Sequence, residues 1–308
     1  MKPAALPWIL RGSDFLAPGW HTEPTAAYQL MIEFLRVSPS YDLATRFKLR
    51  ELNREDKKSL PADFDEVLRT FDLIGDIRGQ LFRQWWLRRG LKVFGNPYSR
   101  PGIHVIATLG NGQETVVESI ADKMRRSYID ARHEQGLTGA MIISLPLTAR
   151  ASDVLRDVRR LLKNQAQNGA GVLPAPAIRL HGKRFHTNAN FKGLRLLWFR
   201  AARPQWEYWR LGAKAEISSS YSRELDVSAP RRTRNSLEAD DRSVMTKITE
   251  RALKRFERVA ENAARSRFPC DEPVEAAVFD YSKIAHRLAA HAKWVREFKT
   301  EWKRQSSR

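Results

Sequence analysis

WRLGAKAEISSSYSREL, residues 209–225, reads as two short helices joined by a tight turn. A DNA-binding helix-turn-helix needs a first helix that ends sharply. A small polar residue then caps a second helix, whose N-terminal half meets base edges. Here Trp209 and Leu211 would face the core, Gly212 is small enough for a close helix crossing, and Ile217 would anchor the second helix, which Ser218 caps. Ser219, Ser220, Tyr221 and Arg223 are then the candidates for groove contact. Two positions depart from this pattern. Glu216 holds the turn where glycine is favoured, since a left-handed backbone costs other residues roughly 1 kcal/mol. Ser222 stands where a second apolar anchor is common, so Leu225 must supply it one turn on. The competing reading is an ordinary packed helical hairpin.

Charge favours the DNA reading. Residues 177–235 hold 13 Lys+Arg against 4 Asp+Glu. Lys183, Arg184, Arg203, Arg210 and Lys214 flank the turn on one side, and Arg231, Arg232 and Arg234 follow it in the loop PRRTRN. Flanking cations of this kind supply phosphate contacts and much of the affinity, while a few side chains supply specificity. The loop could track the backbone or enter a minor groove, where arginine is favoured; alone it reads equally well as a solvated basic loop. Over all 308 residues, 54 Lys+Arg against 35 Asp+Glu leave a net charge of +19, which favours polyanionic partners. Nucleic acid comes first among these. Anionic lipid comes second, without a lipidation motif or a basic amphipathic anchor to support it.

The 42% hydrophobic and 29% charged fractions are those of a folded globular chain. No run of eighteen apolar residues suggests a membrane span, and the N-terminus is too broken for a secretory signal, so a cytoplasmic protein is expected. A single cysteine, Cys270, argues against a disulfide framework and a cysteine-built zinc site.

Outward from the central stretch, three regions are expected: a helical region over 1–96, a small α/β unit over 97–170, and a basic helical region over 171–308. The fold class is mainly α with a small α/β unit. In the first region, Thr22 or Thr25 can cap a helix carrying Tyr28, Leu30, Met31, Phe34 and Leu35; Ser38-Pro39-Ser40 breaks it, and a second helix starts near Tyr41. Phe64, Val67, Leu68 and Phe71 mark a further apolar face. In the second region, IHVIATL (103–109) and AMIISLPLT (140–148) have β-like composition, and Ser152 can cap a helix with Leu155, Val158 and Leu162. The intervening turn with Gly110 and Gly112 lacks the Lys and Ser/Thr of a phosphate-binding loop. In the third, long helices are expected over roughly 237–267 and 281–304, the latter capped by Asp280.

EFLRVSPSY (33–41) resembles a box near the start of small regulators carried by proteobacterial integrative and conjugative elements. LPLTARASDVLRDVRRLL and WRLGAKAEIS follow in an order similar to the C-terminal part of some of them. The likeness covers about a tenth of the chain and implies a DNA-binding transcription regulator on a mobile element. It carries over no contact residue beyond those named above.

Enzymatic readings rank lower. His181 and Arg184 have the H-x-x-R spacing of tyrosine recombinases, but such spacings arise by chance among so many basic residues. Asp240-Asp241 and Asp271-Glu272 read as charges at helix starts, not as ligands of Mg²⁺. The spacings of His181 and His186, and of His286 and His291, do not put two imidazoles on one helical face. No cofactor and no metal are expected. Trp198, Phe199, Trp206, Tyr208 and Trp209 interleave with arginines and suit either stacking on single-stranded bases or a hydrophobic core, with core favoured. The expectation is a non-enzymatic DNA-binding regulator with its helix-turn-helix near 206–225, preferring duplex DNA to RNA or single strands. An RNA- or single-strand-binding subunit of a ribonucleoprotein is the alternative. The long C-terminal helices could also pair with a second copy or another subunit.

Overall fold

AAYQLMIEFLRV carries apolar residues around most of its circumference, which suits a helix enclosed by others. In the computed structural model this is α1 (Ala26–Val37), buried at Leu30, Met31, Ile32, Phe34, Leu35 and Val37. The structure describes residues 15, 19–95, 143–167, 176–182, 185–230 and 236–306, with Ile120 and Asp122. The protein is mainly helical, and no β-strand occurs among the described residues. None of their helices is long and apolar enough to cross a membrane.

The chain divides into two compact units. One takes in the residues up to Trp85 and those from Ile178 onward; the other spans Trp86–Ala177. The first and last of the expected regions thus share a core. In that unit α1 is followed by α2 (Pro39–Lys48), α3 (Arg54–Lys58), α4 (Phe64–Ile74) and the short α5 (Phe82–Trp85). Ser38 links α1 to α2 more tightly than a simple break: it ends α1, its side chain accepts from Tyr41 N, and Pro39 takes the first helical position. α3 lies in a polar stretch with no apolar face to announce it. A capping box forms it, Asn53 accepting from Asp56 N while Asp56 accepts from Asn53 N.

In the second unit, a π-helical segment (Trp86–Gly90) leads into α6 (Leu91–Phe94), and α7 (Ala151–Gln167) follows later. Residues 143–148 of the second expected strand are irregular. The first expected strand, Gly110 and Gly112 lie outside the described residues. Ser152 falls inside the first turn of α7 and does not precede it as a cap.

From Ile178 onward the first unit continues with α8 (Thr187–Ala202), α9 (Tyr208–Ala215), α10 (Tyr221–Glu224), α11 (Ser236–Ala263) and α12 (Tyr281–Ser306). α1, α8 and α11 pack against one another; α9 lies on α8 and α11, and α12 on α1 and α8. Two glycines permit the close crossings on α11. A Cβ on Gly193 of α8 would stand 2.2 Å from the Phe256 ring, and one on Gly212 of α9 would stand 1.9 Å from Thr249 Oγ1. Asp280 caps α12 as expected, accepting from Ser282 N at 2.9 Å and Lys283 N at 3.1 Å.

A buried polar network ties the N-terminal helices to α11. Glu261 is fully buried; its Oε1 accepts from Ser38 Oγ (2.7 Å) and Ser40 N (3.2 Å), and its Oε2 from Ser40 Oγ and Arg265 Nη1 (3.2 Å). Arg265 also donates to both carboxylate oxygens of Asp63 at 2.6 Å and holds that carboxyl below its ordinary range. Nearby, Arg36 donates to the Ile77 carbonyl at 2.6 Å and lies 3.3 Å from His291 Nδ1. The EFLRVSPSY stretch is therefore committed to the core through Arg36, Ser38, Ser40 and Tyr41, whose hydroxyl donates to Gly75 O. A cavity of about 50 Å³ beside it, lined by Tyr41, Asp42, Arg287 and His291, has room for a few waters and not for a substrate.

Candidate nucleic-acid interface

The 206–225 segment combines a helix and turn of the expected kind with a very short second helix. α9 ends at Glu216, which adopts the left-handed conformation at φ 59° and ψ 39°. Ile217 N donates to Gly212 O at 3.0 Å and Glu216 N to Ala213 O at 3.1 Å, a Schellman pair. Arg195 donates to Lys214 O at 3.0 Å and reaches Glu216 Oε1 at 3.4 Å, placing a cation at the negative end of α9. These contacts offset the strain of a non-glycine turn. Gly212 serves a close crossing, but its partner is α11 and not the second helix of the motif.

α10 is a single turn. It starts after Ser220, with no side-chain cap, whereas Ser218 was expected to cap it. Leu225 does supply the second anchor, in a cluster with Trp209, Ala213 and Met245, and Tyr221 and Val227 pack against that cluster. Tyr221 is therefore half-buried as a packing residue, while Ser219, Ser220 and Arg223 are exposed. Ser218 and Lys214 are half-buried, and Arg203 is exposed beside the Trp206 ring at 5.9 Å.

Arg210 differs from the expectation in a physically clear way. Its guanidinium donates to Val227 O at 3.2 Å, Ala229 O at 2.7 Å and Glu207 Oε2 at 3.3 Å. It also lies over Trp209, 4.8 Å from the ring centroid, as does Arg242 at 4.3 Å. Arg242 donates to Pro230 O at 2.9 Å and pairs with Glu238. The two arginines clamp the carbonyls of 227–230, so Arg210 acts on the loop and is not available to a phosphate. Lys183, Arg184, Arg231, Arg232 and Arg234 lie outside the described residues.

The aromatic run divides the same way. Trp198, Phe199 and Trp209 are buried, and Trp206 and Tyr208 are half-buried. Asp271 and Glu272 do not start a helix; α12 begins at Tyr281, and Asp271 pairs with Arg255 at 2.7 Å.

A further basic surface among the described residues, absent from the sequence candidates, lies on α11. On α11, Met245, Thr249, Leu253, Phe256, Val259 and Ala263 are buried, while Lys247, Arg251, Lys254, Arg255 and Arg258 are all exposed. At 100° per residue the five cations fall within about 100° of the helix circumference, opposite the buried face. They extend over about 16 Å of axis at 1.5 Å per residue. Glu250 and Glu257 border the stripe; Glu257 accepts from Tyr281 Oη at 2.6 Å, and burial pushes its carboxyl up. The signal was present as basic residues at i, i+4, i+7, i+8 and i+11.

No protein-family model, curated protein or solved structure matches this chain. Its functional reading therefore rests on its own residues.

Proposed function

We propose that this chain is a non-enzymatic nucleic-acid-binding protein that prefers duplex DNA to RNA or single strands. The observation that carries the reading is the stripe of Lys247, Arg251, Lys254, Arg255 and Arg258 on the solvent face of α11, within a chain of net charge +19. A rigid helix presents these cations at fixed spacing, so they can meet phosphates with little ordering cost. Ser219, Ser220 and Arg223 would add base or sugar contacts from the helix-turn-helix-like segment. The single turn of α10 limits that share to a few side chains, and the arginines of 231–234 would extend the phosphate contacts. The further step, to a transcription regulator of a mobile element, is supported by the resemblance of residues 33–41. The single-strand or ribonucleoprotein alternative draws less support, because three of the five interleaved rings, Trp198, Phe199 and Trp209, are buried and Trp206 and Tyr208 are half-buried.

The test is binding of the full chain to duplex DNA, single-stranded DNA and RNA of equal length over a salt series, beside an Arg223→Ala variant. The reading expects duplex preference that survives competitor DNA and a roughly tenfold or greater loss for Arg223→Ala on a specific site. Equal binding to every polyanion, unmoved by Arg223→Ala, would remove the regulator reading.

A further inference from the structure

We infer that His181, Cys270 and Glu272 form a binding site for a divalent cation of the zinc class. The imidazole, thiol and carboxylate donor atoms lie within 4.8 Å of one another, although His181 is far from the other two in sequence. Cys270 is buried, and His181 and Glu272 are exposed. Tetrahedral zinc with sulfur at about 2.3 Å and nitrogen or oxygen at about 2.0–2.2 Å sets its ligand atoms about 3.4–3.6 Å apart. The gap from 4.8 Å is about an ångström, and His181 and Glu272, being exposed, are the side chains that would move to close it.

The main chain around the site is already pinned. His181 N donates to Phe268 O at 2.7 Å, and Cys270 N to Arg267 O at 2.9 Å. Asn262, itself fully buried, donates through Nδ2 to Glu272 O at 2.9 Å. Phe185 packs on Phe268 with ring centroids 5.7 Å apart, which holds the segment before α8 against the loop after α11. A thiolate, an imidazole and one carboxylate form a borderline-soft donor set that suits zinc and disfavours magnesium or calcium. Binding would release the Cys270 thiol proton to solvent as the metal–sulfur bond forms, and water would take the fourth position. The bound ion would lock His181 to the 266–272 loop. The site leaves no signature in the sequence, because His181 lies some ninety residues from Cys270 and Glu272, and a lone cysteine two residues before a glutamate is no recognised ligand spacing.

The test is titration of the metal-free full chain with Co²⁺, read by thiolate-to-cobalt charge-transfer absorption and by the intense visible bands of tetrahedral cobalt. Cys270 is the only cysteine, so the charge-transfer band can report no other site. The expected result is one equivalent bound and displaced by Zn²⁺, with His181→Ala and Glu272→Gln each weakening affinity at least about tenfold. These two variants sit at the surface and carry the test if Cys270→Ser fails to fold. No charge-transfer band on the folded chain, or a band of equal affinity in His181→Ala and Glu272→Gln, would overturn the site. Neither result bears on nucleic-acid binding, which the stripe of α11 carries separately.

Discussion

Replacing Glu261 by glutamine should destabilise the protein far more than so small a change suggests. One amide oxygen can still accept, but the NH₂ group must take the place of the other carboxylate oxygen. Toward Ser38 Oγ and Ser40 N it faces a backbone N–H that cannot turn into an acceptor; toward Ser40 Oγ and Arg265 Nη1 it faces a guanidinium that cannot. Either orientation leaves one buried donor unpaired, at about 1–3 kcal/mol, and removes the charge opposite the fully buried Arg265 side chain. Breaking a buried pair by removing one partner costs about 3–5 kcal/mol, and Asp63 remains to hold part of the Arg265 charge. A loss of about 3 kcal/mol is therefore expected. For a cooperative unit of this size that corresponds to a Tm lower by about 6–12 °C. The assay is thermal unfolding followed by circular dichroism, paired with Arg265→Met and the double variant. Strong coupling between the two sites is expected. A loss below about 1 kcal/mol, or strictly additive effects, would refute the network as the link between α2 and α11.

Three shorter predictions concern the same unit. Gly193→Ala and Gly212→Ala should each destabilise by about 1–3 kcal/mol through overpacking at 2.2 Å and 1.9 Å, although alanine favours a helix by about 1 kcal/mol; a higher Tm for either would contradict the close crossings. His291 is held neutral, first by burial and then by the Arg36 charge, with its pKa pushed down to about 3. The unfolded chain takes up that proton near pH 6.5 and the folded one only near 3, so this residue should cost stability progressively as pH falls between those values. His291→Gln should flatten that part of the pH profile in denaturant titrations, and an unchanged profile would show that the imidazole charges freely in the fold.

Local chemistry was legible in the residues themselves. Asp280 before a periodic run announced the start of α12, and Leu225 could be seen to replace Ser222 as an anchor. The demand for a left-handed residue at Glu216 was also readable, since it follows from turn geometry alone. What stayed hidden depends on distant partners. Nothing near Ser38 and Ser40 points to Glu261, and nothing near Arg210 shows that its donors go to the carbonyls of Val227 and Ala229 instead of solvent. Within the basic composition of 177–235, Arg210 and Arg195 look like surface charges, whereas both hold backbone carbonyls. In α11, acidic residues in the first turns mask a basic face that appears only when 247–258 is projected on a helix.

The most direct measurement of the central claim is the salt dependence of duplex DNA binding for the wild-type chain and for Arg251→Gln/Lys254→Gln/Arg258→Gln. Arg255 is left in place because it pairs with Asp271. Each phosphate contact contributes about 0.9 to the slope of log K against log salt. If the stripe of α11 holds the backbone, the triple variant should fold normally and bind more weakly, with a slope shallower by about two to three. A folded triple variant with unchanged affinity and slope would contradict the account.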